Sequence, residues 1–365
     1  MIYLDNAATT AMLPEVEKAI ADAPFGNPSS LHAEGIRARQ ALEDARKTIA
    51  GSVGCNPCEL FFTSGGTEAN NWVIKGMGKG HIITTKIEHD CVLAACRWHE
   101  KQGDAVTYLD VDEEGFVDPE ALEQAIRPDT VLVSIIHGNN EIGTLQDLAA
   151  LGKVCKRHDI PLHIDACQSF GKVPIELTDI DMMTINAHKM NGPKGVGGLY
   201  IRKGLRITPL LHGGGHEMGR RSGTENVPGI MGFAAAIEHG FDYTRLIALR
   251  DKLIEGLLSI EGTRLNGPKT DRLPNNVNVS FARVEGESII ELLNLQGIAA
   301  STGSACSSKS LEPSHVMMAL EPDPERAHGS VRLSLGRETT EREIDAVLET
   351  MPGIIDQLRK ISALR

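Results

Sequence analysis

The segment DMMTINAHKMNGPKGVGGLYI, residues 181–201, holds two short apolar runs on either side of a polar, glycine-rich turn. Both runs carry almost no charge and are too short for helices, which is typical of strands buried on both faces of a parallel sheet. Similar runs occur at residues 59–63, 81–84, 130–136 and 161–165, and they alternate with helical patterns at residues 33–51, 67–77, 118–127 and 146–158. This alternation predicts an α/β fold in which helices cover both faces of a mostly parallel sheet.

The pattern changes near residue 246. Helical patterns at residues 246–260, 287–296 and 340–361 are interspersed with alternating strands at residues 275–281 and 331–335 and a glycine- and serine-rich loop at residues 301–308. This mixture predicts a smaller α+β domain. Because 365 residues make room for about two domains, we expect a large domain over residues 15–245 and a small one built from residues 1–14 and 246–365.

The composition is that of a water-soluble protein. Apolar residues make up 41% and charged residues 24% of the chain, and no stretch approaches the roughly 18 consecutive apolar residues of a membrane helix. The opening MIYLDNAATT shows neither a secretory signal nor a transit peptide, so we expect a cytoplasmic protein. The net charge of −12, with scattered basic residues, argues against direct nucleic-acid binding. Seven cysteines, an odd number, fit reduced thiols better than a disulfide framework.

Two ionisable residues follow the ends of buried runs. Lys189 comes just after the run at 182–186, and Asp165 ends the run at 161–165. A buried ammonium group has a lowered pKa, which makes such a lysine a candidate Schiff-base nucleophile. The carboxyl ends of parallel strands hold ligand groups, so Asp165 is placed to meet a cation, although a helix cap explains it equally when it is taken alone.

The stretch TSGGTE, residues 63–68, follows an apolar run and opens a helical pattern. Its glycines and backbone amides are suited to cradle a phosphate at a helix N-terminus. Taken alone, it fits equally well a simple turn in which Thr67 caps the helix. The spacing matches neither the P-loop nor the dinucleotide-binding fingerprint, which argues against a nucleoside triphosphatase and a Rossmann dehydrogenase.

The order of the polar motifs is more specific than any one of them. TSGGTE is followed by EHD (88–90), NNE (139–141), HIDACQ (163–168), NAHK (186–189), RRSGT (220–224), GSAC (303–306) and Arg332. In this order the chain resembles the pyridoxal-phosphate enzymes of the class V aminotransferase superfamily, and within it the cysteine desulfurases of iron-sulfur cluster assembly and nitrogen fixation. The resemblance runs from YLDNAATT (3–10) through FGNPSSLH (25–32) to VRLSLG (331–336). It implies the type I pyridoxal-phosphate-dependent transferase fold, pyridoxal 5'-phosphate as cofactor, and a homodimer.

The resemblance assigns roles around the cofactor ring. It implies that Lys189 forms the Schiff base, that Asp165 pairs with the pyridinium nitrogen, and that His89 stacks on the ring and serves as an acid or base. A nearby carboxylate favours the charged ring, which is the better electron sink. Asn140 and Gln168 are implied to hydrogen-bond the phenolic oxygen, although each fits a turn residue when it is taken alone.

The resemblance also implies a phosphate site made by Gly66, Thr67 and His188, with Thr224 reaching across from a second subunit. Asn186 departs from the family pattern, which usually has a serine three residues before the Schiff-base lysine. Because an amide also donates hydrogen bonds, we expect phosphate binding to survive with altered geometry.

The remaining implied roles concern the substrate, L-cysteine. Cys306 is implied to be the nucleophile that takes the substrate sulfur as a persulfide and passes it to a sulfur acceptor or iron-sulfur scaffold protein, leaving alanine. Since only about 3% of an ordinary thiol is ionised at pH 7, the site has to activate it. Arg332 is implied to bind the substrate carboxylate, and Asn27 and His32 are secondary candidates for the pocket.

Some alternatives stay open at this stage. A selenocysteine lyase or another class V enzyme has the same cofactor machinery, whereas a non-catalytic scaffold is disfavoured because Lys189, Asp165, His89 and Cys306 occur together. Three further features are interpreted as structural: the pair Cys55 and Cys58, the pair His212 and His216, and Lys194. The two cysteines lack a second ligand pair, and three glycines between the histidines disfavour a helical metal site.

Overall fold

The computed structural model describes residues 1–240, 242–303 and 313–361. Its strands are β1 (Ile2–Tyr3), β2 (Leu60–Thr63), β3 (His81–Thr85), β4 (Val106–Leu109), β5 (Thr130–Ile136), β6 (Leu162–Asp165), β7 (Met182–Asn186), β8 (Gly197–Ile201), β9 (Thr263–Leu265), β10 (Asn276–Phe281), β11 (Ile298–Ala299) and β12 (Ser330–Ser334). Its α-helices are α1 (Pro14–Ala21), α2 (Ala33–Val53), α3 (Gly66–Gly76), α4 (Asp90–Lys101), α5 (Pro119–Ala125), α6 (Leu148–Arg157), α7 (Val227–Glu238), α8 (Tyr243–Leu258), α9 (Gly286–Leu295), α10 (His315–Leu320), α11 (Pro324–His328) and α12 (Glu341–Ile361).

The main sheet has seven strands in the order β2-β8-β7-β6-β5-β3-β4. The five strands from β7 to β4 pair in parallel, and β8 runs antiparallel to both of its neighbours. The α/β prediction with a mostly parallel, mixed sheet is therefore confirmed. Because β2 and β7 both run opposite to β8, the carboxyl ends of β2, β3, β5, β6 and β7 lie at the same edge of the sheet.

Helices cover both faces of this sheet. Residues of α2, α5, α6 and α7 pack with one set of strand side chains in the largest hydrophobic core. Residues of α3 and α4, including Trp72 and Val92, pack with the alternate set on the opposite face. Since successive strand side chains point to opposite faces, strands that lie between two helical layers have to be apolar on both, which is what the uninterrupted apolar runs indicate.

A second sheet, β12-β10-β9, is antiparallel and has its own hydrophobic core with α8, α9 and α12. Leu4, from the first residues of the chain, is part of this core, and β1 pairs in parallel with β11. The division of the chain at residues 15 and 245 stays a prediction. Within the described ranges, none of the helices combines the length and apolar character that crossing a membrane requires.

Candidate active site

A cavity of about 540 Å³ opens at the carboxyl edge of the main sheet. This volume is typical of a site for a cofactor or another small molecule. Nine of the residues predicted from the sequence line it: Gly66, Thr67, His89, Asn140, Asp165, Asn186, His188, Lys189 and Arg332. They come from the carboxyl ends of five strands of one sheet, or the segments just after them, and from one strand of the other sheet. The fold thus brings together residues that are up to 266 positions apart, from 66 to 332.

Lys189 stands just beyond the end of β7, in a turn that the N-terminal segment fixes. The backbone N–H and the hydroxyl of Thr10 both donate to the His188 carbonyl at 2.9 Å, and the Asn191 N–H donates to the Thr10 hydroxyl at 2.7 Å. The Lys189 amine has no hydrogen bond or ion pair with any residue that the structure describes. A half-buried lysine whose amine is unpaired and faces a cavity is suited to act as a nucleophile.

Asp165 ends β6 and is only 4% exposed. Its Oδ1 accepts a 2.9 Å bond from the Cys167 N–H, and its Oδ2 accepts a 2.7 Å bond from the amide of Asn70 on α3. No cationic side chain among the described residues pairs with it. A buried carboxylate without a counter-ion is costly, so the arrangement fits a ligand that brings a positive charge to the cavity, such as a protonated pyridine ring.

His89 caps the N-terminus of α4, and its Nδ1 accepts a 3.1 Å bond from the Cys91 N–H. The ring proton of the neutral imidazole is therefore on Nε2. Burial lowers the pKa of His89 and the nearby Lys189 adds to this, while the charge of Asp165 opposes both. A neutral, flat ring at this wall of the cavity is what stacking on an aromatic cofactor requires.

Another group of residues that line the cavity has the features of a phosphate cradle. Gly66 begins α3, an 11-residue helix whose first backbone amides lack partners within the helix. A Cβ at Gly66 would lie 2.4 Å from the Cys167 Sγ and 3.8 Å from the Asn186 Nδ2, so an amide donor points toward the helix start. The Asn186 Oδ1 is buried and has no partner among the described residues. Burial, with Lys189 adding to it, lowers the pKa of His188 to about 4, so this imidazole is neutral too.

Arg332 reaches the cavity from β12 and is 2% exposed. Its Nη1 donates to the carbonyls of Asn140 at 2.9 Å and Gly303 at 3.2 Å, and its Nη2 pairs with Asp5 at 2.9 Å. The Nε donor is buried and has no partner among the described residues. The guanidinium is thus held in place while one donor remains available, which suits a small carboxylate ligand.

The profile of class-V aminotransferases matches residues 2–347 of this chain. The chain belongs to the class-V aminotransferase family. Enzymes of this family use pyridoxal phosphate, and the unpaired Lys189 amine, the buried Asp165 and the glycine cradle at α3 fit that cofactor. Among similar proteins is the cysteine desulfurase IscS of Methanosarcina thermophila, 51% identical over all of this chain and 94% of the relative. The enzyme of the same name from Dictyoglomus turgidum is 50% identical over 99% of this chain and 96% of its own.

Solved structures in this class-V group have the same architecture. A NifS-like protein superimposes with a TM-score of 0.91 at 39% identity, covering 98% of this chain and all of its own. A structure described as SspA in complex with cysteine gives a TM-score of 0.84 at 37% identity, covering 93% of this chain and all of its own. The fold and the family that the ordered motifs indicated are confirmed by these matches.

Four of the predicted site residues do not line this cavity. Gln168 is buried, and its amide donates to the Ala7 carbonyl at 2.8 Å and accepts from Lys172 at 3.4 Å. The side chains of Asn27, His32 and Thr224 are exposed on the surface of the single chain. His32 caps α2 by accepting a bond from the Gly35 N–H. Cys306 lies outside the described residues.

Several cavity residues were missed by the sequence analysis. They are Asn70, Cys91, Glu141, Cys167 and His315. Four of them lie within a few residues of a predicted one; Asn70, for example, follows Gly66 by one helical turn and so faces the same side of α3. No comparable sequence signal distinguishes His315.

Two of these residues are thiols, and both are held in the protonated form. Burial raises the pKa of Cys91 to about 12 and that of Cys167 well above its usual range. Each is therefore a poor nucleophile at neutral pH.

Within the described residues, no group of three or more histidine, cysteine or acidic side chains is arranged to hold a metal ion. Cys58, one of the two cysteines that were interpreted as structural, is exposed.

Proposed function

We propose that the protein is a pyridoxal-phosphate-dependent cysteine desulfurase, which converts L-cysteine to L-alanine and transfers the sulfur as a persulfide on Cys306. The observation that carries this proposal is the convergence, in one cavity, of an unpaired lysine amine, a buried carboxylate without a counter-ion and a neutral imidazole. Relatives named cysteine desulfurase IscS match the chain over its full length, which supports the same reaction here.

Each cavity residue has a defined task in this reaction. When bound, pyridoxal phosphate supplies an aldehyde that joins an amine and a ring that withdraws electrons from the substrate Cα. With the cofactor bound, Lys189 Nζ would hold its aldehyde and, when free, would be the base that takes the proton from the substrate Cα. Asp165 would keep a proton on the ring nitrogen, and the flat imidazole of His89 would confine the ring. The N-terminus of α3, Asn186 and His188 are the groups proposed to bind the phosphate.

Arg332 is proposed to orient the substrate by its carboxylate. Its Nε donor is buried and has no partner among the described residues, while Nη2 of the same guanidinium pairs with Asp5. A carboxylate from L-cysteine supplies the missing acceptor and removes an unpaired buried donor, so binding is favoured for an amino acid over an amine that lacks the carboxylate.

Cys306 is proposed as the sulfur-accepting nucleophile. The residues on both sides of the segment that contains it, Gly303 and Pro313, line the cavity. The two other thiols at the cavity, Cys91 and Cys167, are kept protonated by burial. We propose that the sulfur then passes to an acceptor protein, such as an iron-sulfur scaffold, in keeping with the IscS name of the relatives.

We further propose a cytoplasmic homodimer in which Thr224 contributes to the phosphate site of the partner. Phe25 is 88% and Leu31 86% exposed, and both lie in the loop that carries Asn27 and His32. A second copy that covers this loop would bury these apolar side chains. The six cysteines that the structure describes are free thiols, which supports a reducing compartment.

The experiment that tests the function is mass spectrometry of the protein after one turnover with L-cysteine, together with measurement of alanine. We expect the wild-type protein to carry one additional sulfur on Cys306. The variant Cys306→Ala should keep the cofactor absorbance and lose sulfide and alanine formation, whereas Lys189→Ala should lose the lysine-bound absorbance band. Alanine formation at the wild-type rate by Cys306→Ala would contradict the proposal.

A further inference from the structure

A chain of hydrogen bonds joins the two side chains that are proposed to contact the cofactor ring, Asp165 and His89. The Asn70 amide nitrogen donates to Oδ2 of Asp165 at 2.7 Å and to Sγ of Cys91 at 3.3 Å. Sγ of Cys91 in turn lies 3.1 Å from Nδ1 of His89. All four side chains line the cavity. The Cys91 thiol thus stands between the carboxylate side of the site and the imidazole.

The direction of the bond between this thiol and the imidazole follows from the proton on sulfur. Burial and the nearby charge of Asp165 raise the pKa of Cys91 to about 12, so the sulfur keeps its proton. Hydrogen bonds from Asn70 and Thr67 to the sulfur oppose this rise. Because the sulfur accepts from these two groups, its own S–H is left to bond an acceptor, and Nδ1 of His89 is within range. The thiol therefore donates and the imidazole accepts.

Nδ1 of His89 has two donors directed at it. The second is the backbone N–H of Cys91, also at 3.1 Å. Both donors favour the neutral ring with its proton on Nε2, because a proton on Nδ1 would face them. The backbone donor is available from any residue other than proline at position 91, whereas the side-chain donor depends on the thiol.

Asn70 fixes the thiol from the side of α3. Asn70 is 1% exposed, and its amide nitrogen bonds both Asp165 and Cys91. Its Oδ1 is buried and has no partner among the described residues. An unpaired buried acceptor is unfavourable, so the two bonds that the nitrogen donates have to hold the amide in this orientation. The position of the sulfur is thereby tied to that of the Asp165 carboxylate.

We propose that Cys91 is a positioning residue whose S–H holds the His89 ring in one orientation as the neutral Nε2–H tautomer. The consequence for cofactor binding rests on the proposed function, in which His89 stacks on the cofactor ring. A protonated imidazole would be repelled by a protonated pyridine ring. The bond from the thiol therefore contributes most at low pH, where the imidazole takes up a proton most readily.

Other charged or titratable groups also act on His89. Nearby carboxylates raise its pKa, and nearby cationic groups lower it together with burial; these groups are Asp90, Asp165, Lys189 and His315. All of them remain when residue 91 alone is replaced. A comparison of variants at this position therefore isolates the contribution of the thiol.

The first measurement follows the ring nitrogens of His89 by NMR in the full-length protein labelled with 15N-histidine, before pyridoxal phosphate is added. The variant His89→Gln assigns the His89 signals. We expect the Nε2–H tautomer in the wild-type protein. In Cys91→Ala the ring should bind a proton about three- to tenfold more tightly, because one of the two donors to Nδ1 is lost. Cys91→Ser keeps a side-chain donor and should behave nearly as the wild-type protein.

The second measurement is the dissociation constant of pyridoxal phosphate, from absorbance titrations at pH 8 and pH 6. We expect Cys91→Ala to resemble the wild-type protein at pH 8 and to bind about threefold or more weakly at pH 6, because more of its imidazole is then cationic. Cys96→Ala is the matched control, since Cys96 is a buried thiol of the same helix that packs in the apolar core. It should leave both measurements unchanged.

An unchanged proton affinity of His89 in folded Cys91→Ala would overturn the proposal. An equal loss of cofactor affinity at pH 8 and pH 6 would also overturn it, because that result indicates a packing role. Lys189→Ala separates this proposal from the proposed function. If Lys189→Ala loses the lysine-bound absorbance band while His89 is unaffected in Cys91→Ala, only the role of Cys91 is wrong. A retained band in Lys189→Ala removes the proposed function itself, whereas the NMR result still decides the role of Cys91.

Discussion

Three polar side chains of the cavity have part of their hydrogen-bonding capacity unused in the fold. Buried polar atoms are nearly always paired, yet Asn186 Oδ1, Arg332 Nε and Asn70 Oδ1 have no partner among the described residues. All three side chains line the same cavity. The unmet hydrogen bonds, together with the unpaired Lys189 amine, define what a ligand of this site has to supply.

The sequence identified the residues with distinctive chemistry better than it identified the residues that surround them in the cavity. Lys189 and Asp165 were visible because an ionisable residue at the end of an apolar run is unusual. Asn70 and His315 were not, because each meets the cavity through tertiary packing of an ordinary helical segment. Gln168 shows the reverse case: it directly follows the cavity residue Cys167 in sequence, but its side chain bonds to Ala7.

Glu88 provides a prediction about pH and stability. Burial raises the pKa of its carboxyl to about 8, against two hydrogen bonds from Ile136 and Thr85 that favour ionisation. The folded protein thus holds a proton that the unfolded chain has lost above pH 4.5 or so. The resulting stabilisation is fully present below that pH and is lost, at about 1.4 kcal/mol per pH unit, as the pH rises toward 8.

Replacing this carboxyl isolates its contribution. In Glu88→Gln the side chain cannot ionise, so the free energy of unfolding should decline less steeply between pH 5 and 8 than in the wild-type protein. Urea unfolding of both proteins across this range measures the difference. Parallel pH dependences would show that Glu88 is ionised in the folded state.

At the scale of elements, the strands of the main sheet other than β4, and the helices α2, α3, α5, α6, α8, α9 and α12, were predicted within a few residues. Strands β5 and β7 match their apolar runs. Helix α4 was not predicted, and neither were α7 and β4, for which the structure gives a physical reason. Helix α7, VPGIMGFAAAIE, is enclosed by α1 and α2 and so has no polar face from which a helical period can be read. Strand β4 lies at the sheet edge, is only half-buried and spans four residues.

The contact between α3 and the turn after β6 gives a second prediction. In Gly66→Ala the new methyl group would meet Cys167 Sγ at 2.4 Å, so one of the two segments has to shift. We expect a loss of about 1–3 kcal/mol in the free energy of unfolding and weaker cofactor binding, because the cradle amides move with the helix start. Cys167→Ala removes the obstacle, so the double variant should recover most of both losses. Additive losses in this double-mutant cycle would contradict the proposed contact.

A third prediction concerns how α2 is tied to the main sheet. Arg46 on α2 forms a buried, two-pronged ion pair with Glu217 at 2.6 and 2.9 Å, and Glu217 also accepts a bond from the Phe62 N–H of β2. Arg46→Met leaves a carboxylate buried without its partner, which should cost about 3–5 kcal/mol of stability. Glu43→Gln, which alters the exposed partner of Arg46, should cost less than about 1 kcal/mol. If urea unfolding shows equal losses of stability for the two variants, the buried ion pair contributes no more than the exposed one.

At the scale of the whole molecule, the cavity lies where the two sheets meet. The main sheet supplies Asp165 and Lys189, whereas the antiparallel sheet supplies Arg332, which also pairs with Asp5 from the N-terminal segment. This division places the groups proposed to bind the cofactor at the main sheet and the group proposed to bind the substrate carboxylate on the antiparallel sheet. Composition and periodicity alone do not show which edges of the two sheets meet, because contacts at the junction join residues far apart in the chain, such as Asp5 and Arg332.

The last prediction also concerns the whole molecule, because it tests the proposed dimer. Leu31 is 86% exposed in a loop with Phe25, and a second copy that covers this loop would bury both. Leu31→Glu would place a charge in that contact, so we expect the dimer to dissociate at micromolar concentration in sedimentation experiments. Cofactor affinity should fall in parallel, because Thr224 of the second copy would no longer reach the phosphate. Leu295→Glu, at a position on α9 that is 77% exposed, should remain dimeric with normal cofactor affinity. A Leu31→Glu protein that sediments as a dimer would place the interface on another face.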